Sequence, residues 1–454
     1  MERRDFMKRL SAATLGAGML SSAQGTQASP GKKTSSQTEN ETIWNRKVPV
    51  RYTTDVAVIG GGIAGVSAAC AAAKSGAKVI LVERFAITGG MLTTGGVANF
   101  CGQMSGQGEV FDQMVHDLRI WDAIGYGKDT CFHYEIFAII LQEMLLERGV
   151  HLLLHTRFVD VQTDGNGRIE ECIVCGKSGP EALRAKQFID CTGDGDVARY
   201  AGFETMQGGP SGYQLPMSMM YFVRHVESKD GKSHLPEGWF NPVRKKDDLP
   251  MTSIWPDGPG GNAIKIKIPM FDSTDTQSLT KAEVAGRRRM MEVLDFHQRQ
   301  EKKPWLLDHC SPIIGTREGC RIVGDYILTV DDLRAGRAFD DGVARGTFYL
   351  DGHKPDDDKR TYILPKDQLQ VPPYQIPLRS LIARDATNLM MAGRCFSGDQ
   401  LALSSARVST TGSMMGQAVG ITAGLCIRKQ CDPRNVDPQD VKRIIIARGG
   451  ELAV

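Results

Sequence analysis

The chain lacks a charge excess of either sign. Its 55 Lys and Arg stand against 53 Asp and Glu, a net charge of +2, and no basic block lies beyond the N-terminal segment. That excludes nucleic acid as the main partner, which would need a basic patch or stripe. Beyond the N-terminal segment no stretch approaches about 18 uncharged apolar residues, so no transmembrane helix is expected there. There is no tandem repeat. The eleven cysteines are odd in number and scattered. Cys172-Ile-Val-Cys175 falls in a predicted strand, where residues three apart point to opposite faces and cannot grip one ion. The pair is read as structural, no metal site is expected, and no disulfide pairing can be assigned. The apolar fraction of 41% is ordinary for a globular protein, and 454 residues allow two or three structural units.

The N-terminus stands apart. Arg3-Arg4-Asp5-Phe6-Met7-Lys8 precedes a short stretch of small and weakly apolar residues (10–20). Ser21-Ser22-Ala23 or Thr26-Gln27-Ala28 would suit cleavage, and 24–45 is polar. The pattern is that of a twin-arginine export signal, which leaves the mature protein periplasmic or secreted.

What the chain does contain is a run of matched elements from 54 to 84. Val56-Ala-Val-Ile59 reads as a strand buried on both faces. Gly60, Gly62 and Gly65 follow in G-x-G-x-x-G spacing: one for a tight turn, one for approach to a pyrophosphate, one for close helix–strand packing. Ile63 and Ala64 open an alanine-rich helix whose N-terminal N–H groups and dipole would hold phosphate charge. A second strand, 79–82, ends at Glu83, placed to accept hydrogen bonds from ribose hydroxyls.

Farther on, helices are predicted near 109–122 and 133–148, with Gly149 as a stop, and strands at 150–154, 158–163, 169–175 and 182–189. Asp164-Gly-Asn-Gly167 makes a hairpin between two of these strands. Phe188-Ile-Asp-Cys-Thr-Gly-Asp-Gly-Asp196 is a strand ending in glycine and carboxylates. Between about 205 and 380 the composition shifts toward Met, Pro and aromatics. There Thr280-x-x-Glu283 is read as the capping box of a long helix, and the glycines of 258–261 as a loop. Near 387 a strand–glycine turn returns, followed by a helix of small residues over 405–425. These signs predict an α/β fold: a dinucleotide-binding Rossmann-like domain with a β-meander, interrupted by an inserted α+β substrate domain, the dinucleotide being FAD by the resemblance given below. The boundaries are 1–28 (signal peptide), 29–50 (linker), 51–204 and 381–430 (the two parts of the FAD-binding domain), 205–380 (substrate domain) and 431–454 (tail).

The layout, with no second βαβαβ half, resembles the glutathione-reductase-like FAD flavoproteins and, among them, the bacterial exported FAD-dependent oxidoreductases. The resemblance spans 52–426. It rests on the glycine fingerprint, Gly89-Gly-Met91, Cys191-Thr-Gly-Asp-Gly-Asp196, 314–326, 374–382, Asn388-Leu-Met-Met-Ala-Gly-Arg394 and Ala402-Leu-Ser-Ser-Ala-Arg407. It implies FAD as cofactor, with Gly60, Gly62, Ile63, Ala64 and Gly65 at the pyrophosphate, Glu83 at the ribose and Arg84 beside the adenine. Gly90 and Met91 belong to the same nucleotide site. Val159 would offer backbone to the adenine, and Gly193 and Asp194 would close over the nucleotide. Gly393 and Arg394 would lie near the pyrophosphate and ribityl chain, which Asp399 would bond. Met414 and Met415 lie in the last helix, whose N-terminal end would face the flavin. Many relatives carry a histidine where this chain has Gln400.

The function expected is dehydrogenation of a small polar, carbohydrate-like substrate by hydride transfer to flavin N5, with an unidentified electron acceptor. His353 is the first choice as base, and Arg317 and Arg407, with Arg321, as clamps for an anion. Their competing role is internal pairing with Glu318, Asp325 or Asp331. His309 and His133 are weaker candidates. Two alternatives stay open: reduction of an activated alkene or dicarboxylate, and a non-catalytic flavin-binding electron-transfer subunit.

Overall fold

The structure, a computed structural model, describes residues 46–226 and 235–454. The expected signal peptide and nearly all of the linker lie outside the described residues. Val48–Val454 form one compact unit.

The main sheet begins where the fingerprint predicts. β1 (Val50–Ile59), α1 (Ile63–Lys74) and β2 (Val79–Val82) form the βαβ unit, with β1 and β2 parallel. Strands β3 (His151–Leu153), β4 (Arg157–Thr163), β5 (Ile169–Gly176), β6 (Gly179–Asp190) and, much later, β15 (Leu389–Met391) complete seven strands. The order is β3-β2-β1-β6-β5-β4. The twelve-residue β6 does two jobs. Residues up to Arg184 pair antiparallel with the meander strand β5, and Phe188 to Asp190 pair parallel with β15. The carboxyl ends of β1, β2, β6 and β15 thereby meet at one edge, where ligands bind in open parallel sheets. The Asp164 hairpin forms as read, its carboxylate accepting from the N–H groups of Asn166 and Arg168. Cys172 and Cys175 both lie in β5 and are unbridged.

One face of this sheet carries α1, α2 (Glu109–Ile120) and α3 (Tyr134–Glu147), packed in one apolar core. The predicted late helix proves to be two, α7 (Gln400–Ala406) and α8 (Ser409–Lys429). The break lets α8 start at the sheet's carboxyl edge and lie along α1. It does so through a stripe of glycines. A Cβ on Gly416 would sit 2.2 Å from the Ala64 carbonyl oxygen, and one on Gly420 2.3 Å from that of Ala68. The two backbones are in contact, which alanines on α1 and glycines on α8 permit.

A second sheet, order β11-β8-β10-β9, is antiparallel: β8 (Met217–His225), β9 (Thr252–Pro256), β10 (Gly261–Ile268) and β11 (Trp305–Cys310). Period-two alternation assigns its faces. Met217, Met219, Tyr221, Ile264, Ile266 and Ile268 pack with α5 (Thr276–Arg299), while Ser218, Met220 and Lys265 turn to the main cavity. The glycines of 258–261 are the β9–β10 hairpin loop. Helix α5 begins four residues before the predicted box. Asp275 caps it by accepting from the Ser278 N–H, while Thr280 donates to Thr276 and Glu283 accepts from Ile314. The nearer Asp-Thr-Gln-Ser segment supplies its own cap and wins.

Candidate active site

A cavity of about 320 Å³ runs from the carboxyl edge of the main sheet to the inner face of the second sheet. At one end Gly60, Gly62, Ile63 and Ala64 line it, with Gly90 and Met91 from the facing turn. The three fingerprint glycines have separable causes. Gly60 has φ +103°, and a Cβ there would lie 2.4 Å from the Cys191 carbonyl oxygen. A Cβ on Gly65 would lie 1.9 Å from the Gly60 carbonyl oxygen, so Gly65 seals helix to turn and does not face the cavity. A Cβ on Gly62 would meet nothing within 4 Å. Its missing side chain leaves open space before an α1 N-terminus that no side chain caps. Unclaimed N–H groups, a helix dipole and an empty approach are what a diphosphate requires.

Glu83 lines the same end. Its carboxylate accepts from the N–H of Gly61 (2.7 Å) and of Phe85 (2.9 Å), and burial raises its pKa above the usual range. Each oxygen keeps a lone pair for a ribose hydroxyl. Arg84 also lines the cavity, its guanidinium 4.7 Å from the Phe85 ring centre. Gly193 (φ +80°) and Gly393 line the floor with Arg394, which donates to Asp194 (2.9 Å). Asp194 Oδ1 accepts from both Arg394 and the Ser273 hydroxyl, and the residue does not line the cavity. Behind it again, buried Asp190 accepts from Thr192 and Val197, fixing the turn, and burial lifts its pKa to about 6.

Several expected contacts do not reach the cavity. Val159 does not line the cavity; its neighbours Arg157 and Phe158 do, at a point where the register of β4 against β5 shifts between Phe158 and Asp160. Asp399 caps α7, accepting from the N–H groups of Ala402 and Val330 with one oxygen each, and does not line the cavity. Met414 and Met415 are fully buried in the helical core, and Met414 sulfur accepts from the Arg345 N–H. The cavity instead touches α8 at Ser409 and Gly412 and the preceding Val408. Gln400 donates to Tyr213 and Glu318 and lies off the cavity.

The other end is charged. Lys265, Arg317, Asp351 and Arg407 converge there with Cys101. Arg407 Nη2 stands 2.8 Å from Asp351 Oδ2. His353 lies behind them, 1% exposed, its Nε2 3.1 Å from Asp351 Oδ1. Burial, then the nearby Arg317 charge, pushes the His353 pKa down to about 3, so the ring is neutral and donates to Asp351. It does not face the cavity, which corrects its expected role as base. Burial alone would raise the Asp351 carboxyl; the His353 hydrogen bond and the Arg407 charge overcome it and hold the group well below its usual range. Burial, then Arg407, brings Arg317 down to about 10. Burial, then Arg317, brings Lys265 down to about 8.

Arg317 and Arg321, four residues apart, part company. Arg321 pairs with buried Glu318 (3.4 Å) and is structural; Arg317 donates to the Pro216 carbonyl and lines the cavity. His309 bonds Tyr134 (2.8 Å) and Asp308 and stacks on Phe222, away from the cavity wall. Lys265 and Asp351 escaped notice in the sequence. The Ile-Lys-Ile-Lys-Ile alternation of 264–268 reads as a strand with one polar face; on that face Lys265 meets the cavity, while buried Lys267 donates to the Arg360 carbonyl.

Residues 55–445 match the family model described as FAD dependent oxidoreductase. No curated protein matches the chain. Among solved structures, a geranylgeranyl bacteriochlorophyll reductase-like protein from Thermoplasma acidophilum aligns at TM-score 0.49 and 13% identity, over 88% of this chain and 84% of that one. OxyS anhydrotetracycline hydroxylase from Streptomyces rimosus aligns at 0.45 and 14%, over 87% and 65%. A flavoprotein/dehydrogenase from Cytophaga hutchinsonii aligns at 0.45 and 14%, over 85% and 81%. The glycine cradle, the acid at the end of β2 and the match over nearly the whole described chain agree on FAD, and the chain belongs to the FAD dependent oxidoreductase family.

Proposed function

We propose that this FAD-dependent oxidoreductase dehydrogenates a small polar organic substrate held at the charged end of the cavity. One observation carries the reading: a single cavity joins the dinucleotide cradle at Gly62 to a wall of Lys265, Arg317, Asp351 and Arg407. When bound, FAD supplies a two-electron acceptor at its N5. The glycine turn, Glu83 and Arg394 hold the nucleotide in place. Ser218, Met220 and Trp255 border the cavity from the second sheet and narrow the space left for substrate. The charged wall favours a polar substrate bearing negative charge over a neutral sugar. The meander β4–β5 before β6 supports placement among glutathione-reductase-like flavoproteins.

The test is direct. Purified protein is expected to be yellow, and an anaerobic panel of sugars, alcohols, amines and organic acids should contain a compound that bleaches it. A holoprotein bleached by nothing in that panel overturns the reading. The cationic wall also suits reduction of an unsaturated carboxylate, which oxidation of a reduced dye would reveal. We further propose export by the twin-arginine route; a fused reporter should reach the periplasm, and Arg3→Lys with Arg4→Lys should retain it in the cytoplasm.

A further inference from the structure

The charged end holds three cationic side chains and one carboxylate. Arg407 is compensated by Asp351, whose second oxygen is taken by His353. Arg317 is not. Among the described residues it joins no ion pair, and its one hydrogen bond runs from Nη1 to the Pro216 carbonyl. Among the described residues Lys265 likewise has neither a hydrogen bond nor an ion pair from its ammonium, and it is largely enclosed where it lines the cavity. Two like charges largely withdrawn from water, sharing with Arg407 a single carboxylate, are costly. A ligand that brings negative charge relieves that cost. The diphosphate of FAD is matched by the α1 N-terminus at the glycine turn, so it is a poor candidate for the missing anion.

The two cations differ in kind. A guanidinium stays protonated at any working pH, and its planar fork matches a carboxylate. An amine pressed by burial and neighbouring cations gives up its proton far more readily. Lys265 is met by Arg317, from the loop after β11, and by Arg407, from the end of α7. Asp351, from the loop before His353, and Cys101, from the loop before α2, face it as well. Asp351 and, more weakly, Cys101 oppose the loss of its proton, and Asp351 is already engaged.

We infer that Arg317 binds a carboxylate of the substrate and that Lys265 Nζ accepts the proton released on oxidation, which makes the substrate a small carboxylic acid bearing an alcohol or amine. This deepens the dehydrogenase reading and rests on it. The O–H or N–H bond of the substrate breaks and its proton passes to Lys265. The neighbouring C–H bond breaks, and its electron pair leaves with the hydrogen as hydride to FAD N5. A carbon–heteroatom double bond forms; the substrate is oxidised and the flavin reduced. His353 acts as a positioning residue, holding Asp351 against Arg407.

The experiment uses holoprotein at fixed ionic strength. Acetate and malonate, which cannot be oxidised this way, are titrated against acetamide while the visible flavin spectrum is read. Saturable perturbation by the carboxylates and none by the amide is expected. Arg317→Met should weaken that binding at least tenfold with flavin content retained, and Arg317→Lys should recover part of it. Lys265→Met should still bind acetate but lower the anaerobic bleaching rate by about 10² or more. Wild-type bleaching at low substrate should rise with pH through about 8, the free-enzyme value of Lys265, and the variant should lack that limb. Bleaching by neutral substrates with no carboxylate binding overturns the inference and leaves the dehydrogenase reading intact. Carboxylate binding with no bleaching by any hydroxy or amino acid overturns the dehydrogenase reading and the base assignment with it. The acetate–acetamide comparison needs no variant, so it decides the anion site even where Arg317→Met fails to fold.

Discussion

The two ends of the cavity are built by opposite means. At the nucleotide end the chain makes room by leaving side chains out, and backbone N–H groups do the binding. At the substrate end it brings four charged side chains in, Lys265, Arg317, Asp351 and Arg407, beside the Cys101 thiol. The first device is local, one turn between a strand and a helix. The second draws on five distant segments. Substitutions at the first end should therefore divide into those that break the fold and those that only fill space, and at the second into those that break the frame and those that only remove charge.

The largest effect should come from the frame. Glu318 is buried and accepts from the N–H groups of Gly208 and Leu215 and from Gln400, besides pairing with Arg321. Glu318→Ala strands a buried guanidinium and should cost about 3–5 kcal/mol, read as a lower denaturation midpoint. Arg317→Met, one residue away, should leave that midpoint nearly unchanged; equal losses would erase the distinction between frame and site. Gly60→Ala comes next. Its left-handed φ and the 2.4 Å approach to Cys191 should cost about 3 kcal/mol. Gly62→Ala meets no protein atom, so its melting temperature should hold while FAD affinity falls about tenfold, measured by flavin fluorescence on dilution. Unchanged FAD affinity would mean the open space at Gly62 is not the phosphate approach. His353→Gln should lower turnover about tenfold by loosening Asp351, with flavin content unaffected. The smallest effect is at Asp399→Ala: loss of the α7 cap should cost about 1 kcal/mol, with FAD binding intact. A loss of FAD there would restore the ribityl contact that the geometry denies it.

Much of the nucleotide end was legible because its causes lie within thirty residues of each other in the chain. Spacing alone placed Gly60, Gly62, Gly65 and Glu83. The errors share a different origin. Met414 and Met415 belong to the right helix, but its rotation about its axis is set by packing against α1, which turns them into the core. Val159 sits on the right strand, but a register shift at Phe158–Asp160 leaves the wall to Arg157 and Phe158. Thr280 lost to a cap five residues earlier, Asp275, a competition between two local signals that the hydrophobic pattern could not judge. His353 was chosen for its chemistry, whereas burial and Asp351 gave it a fixed neutral role.

By itself the sequence determined the βαβ cradle, its dinucleotide ligand and the return of β15 to the same sheet, since strand, turn and helix are encoded by neighbours. Only the tertiary structure decided that Lys265 and Arg317 face one cavity with no ion pair of their own among the described residues, while Arg321 and His353 do not face it. Burial and charge compensation are properties of what surrounds a residue in space, and those surroundings come from segments scattered across the chain.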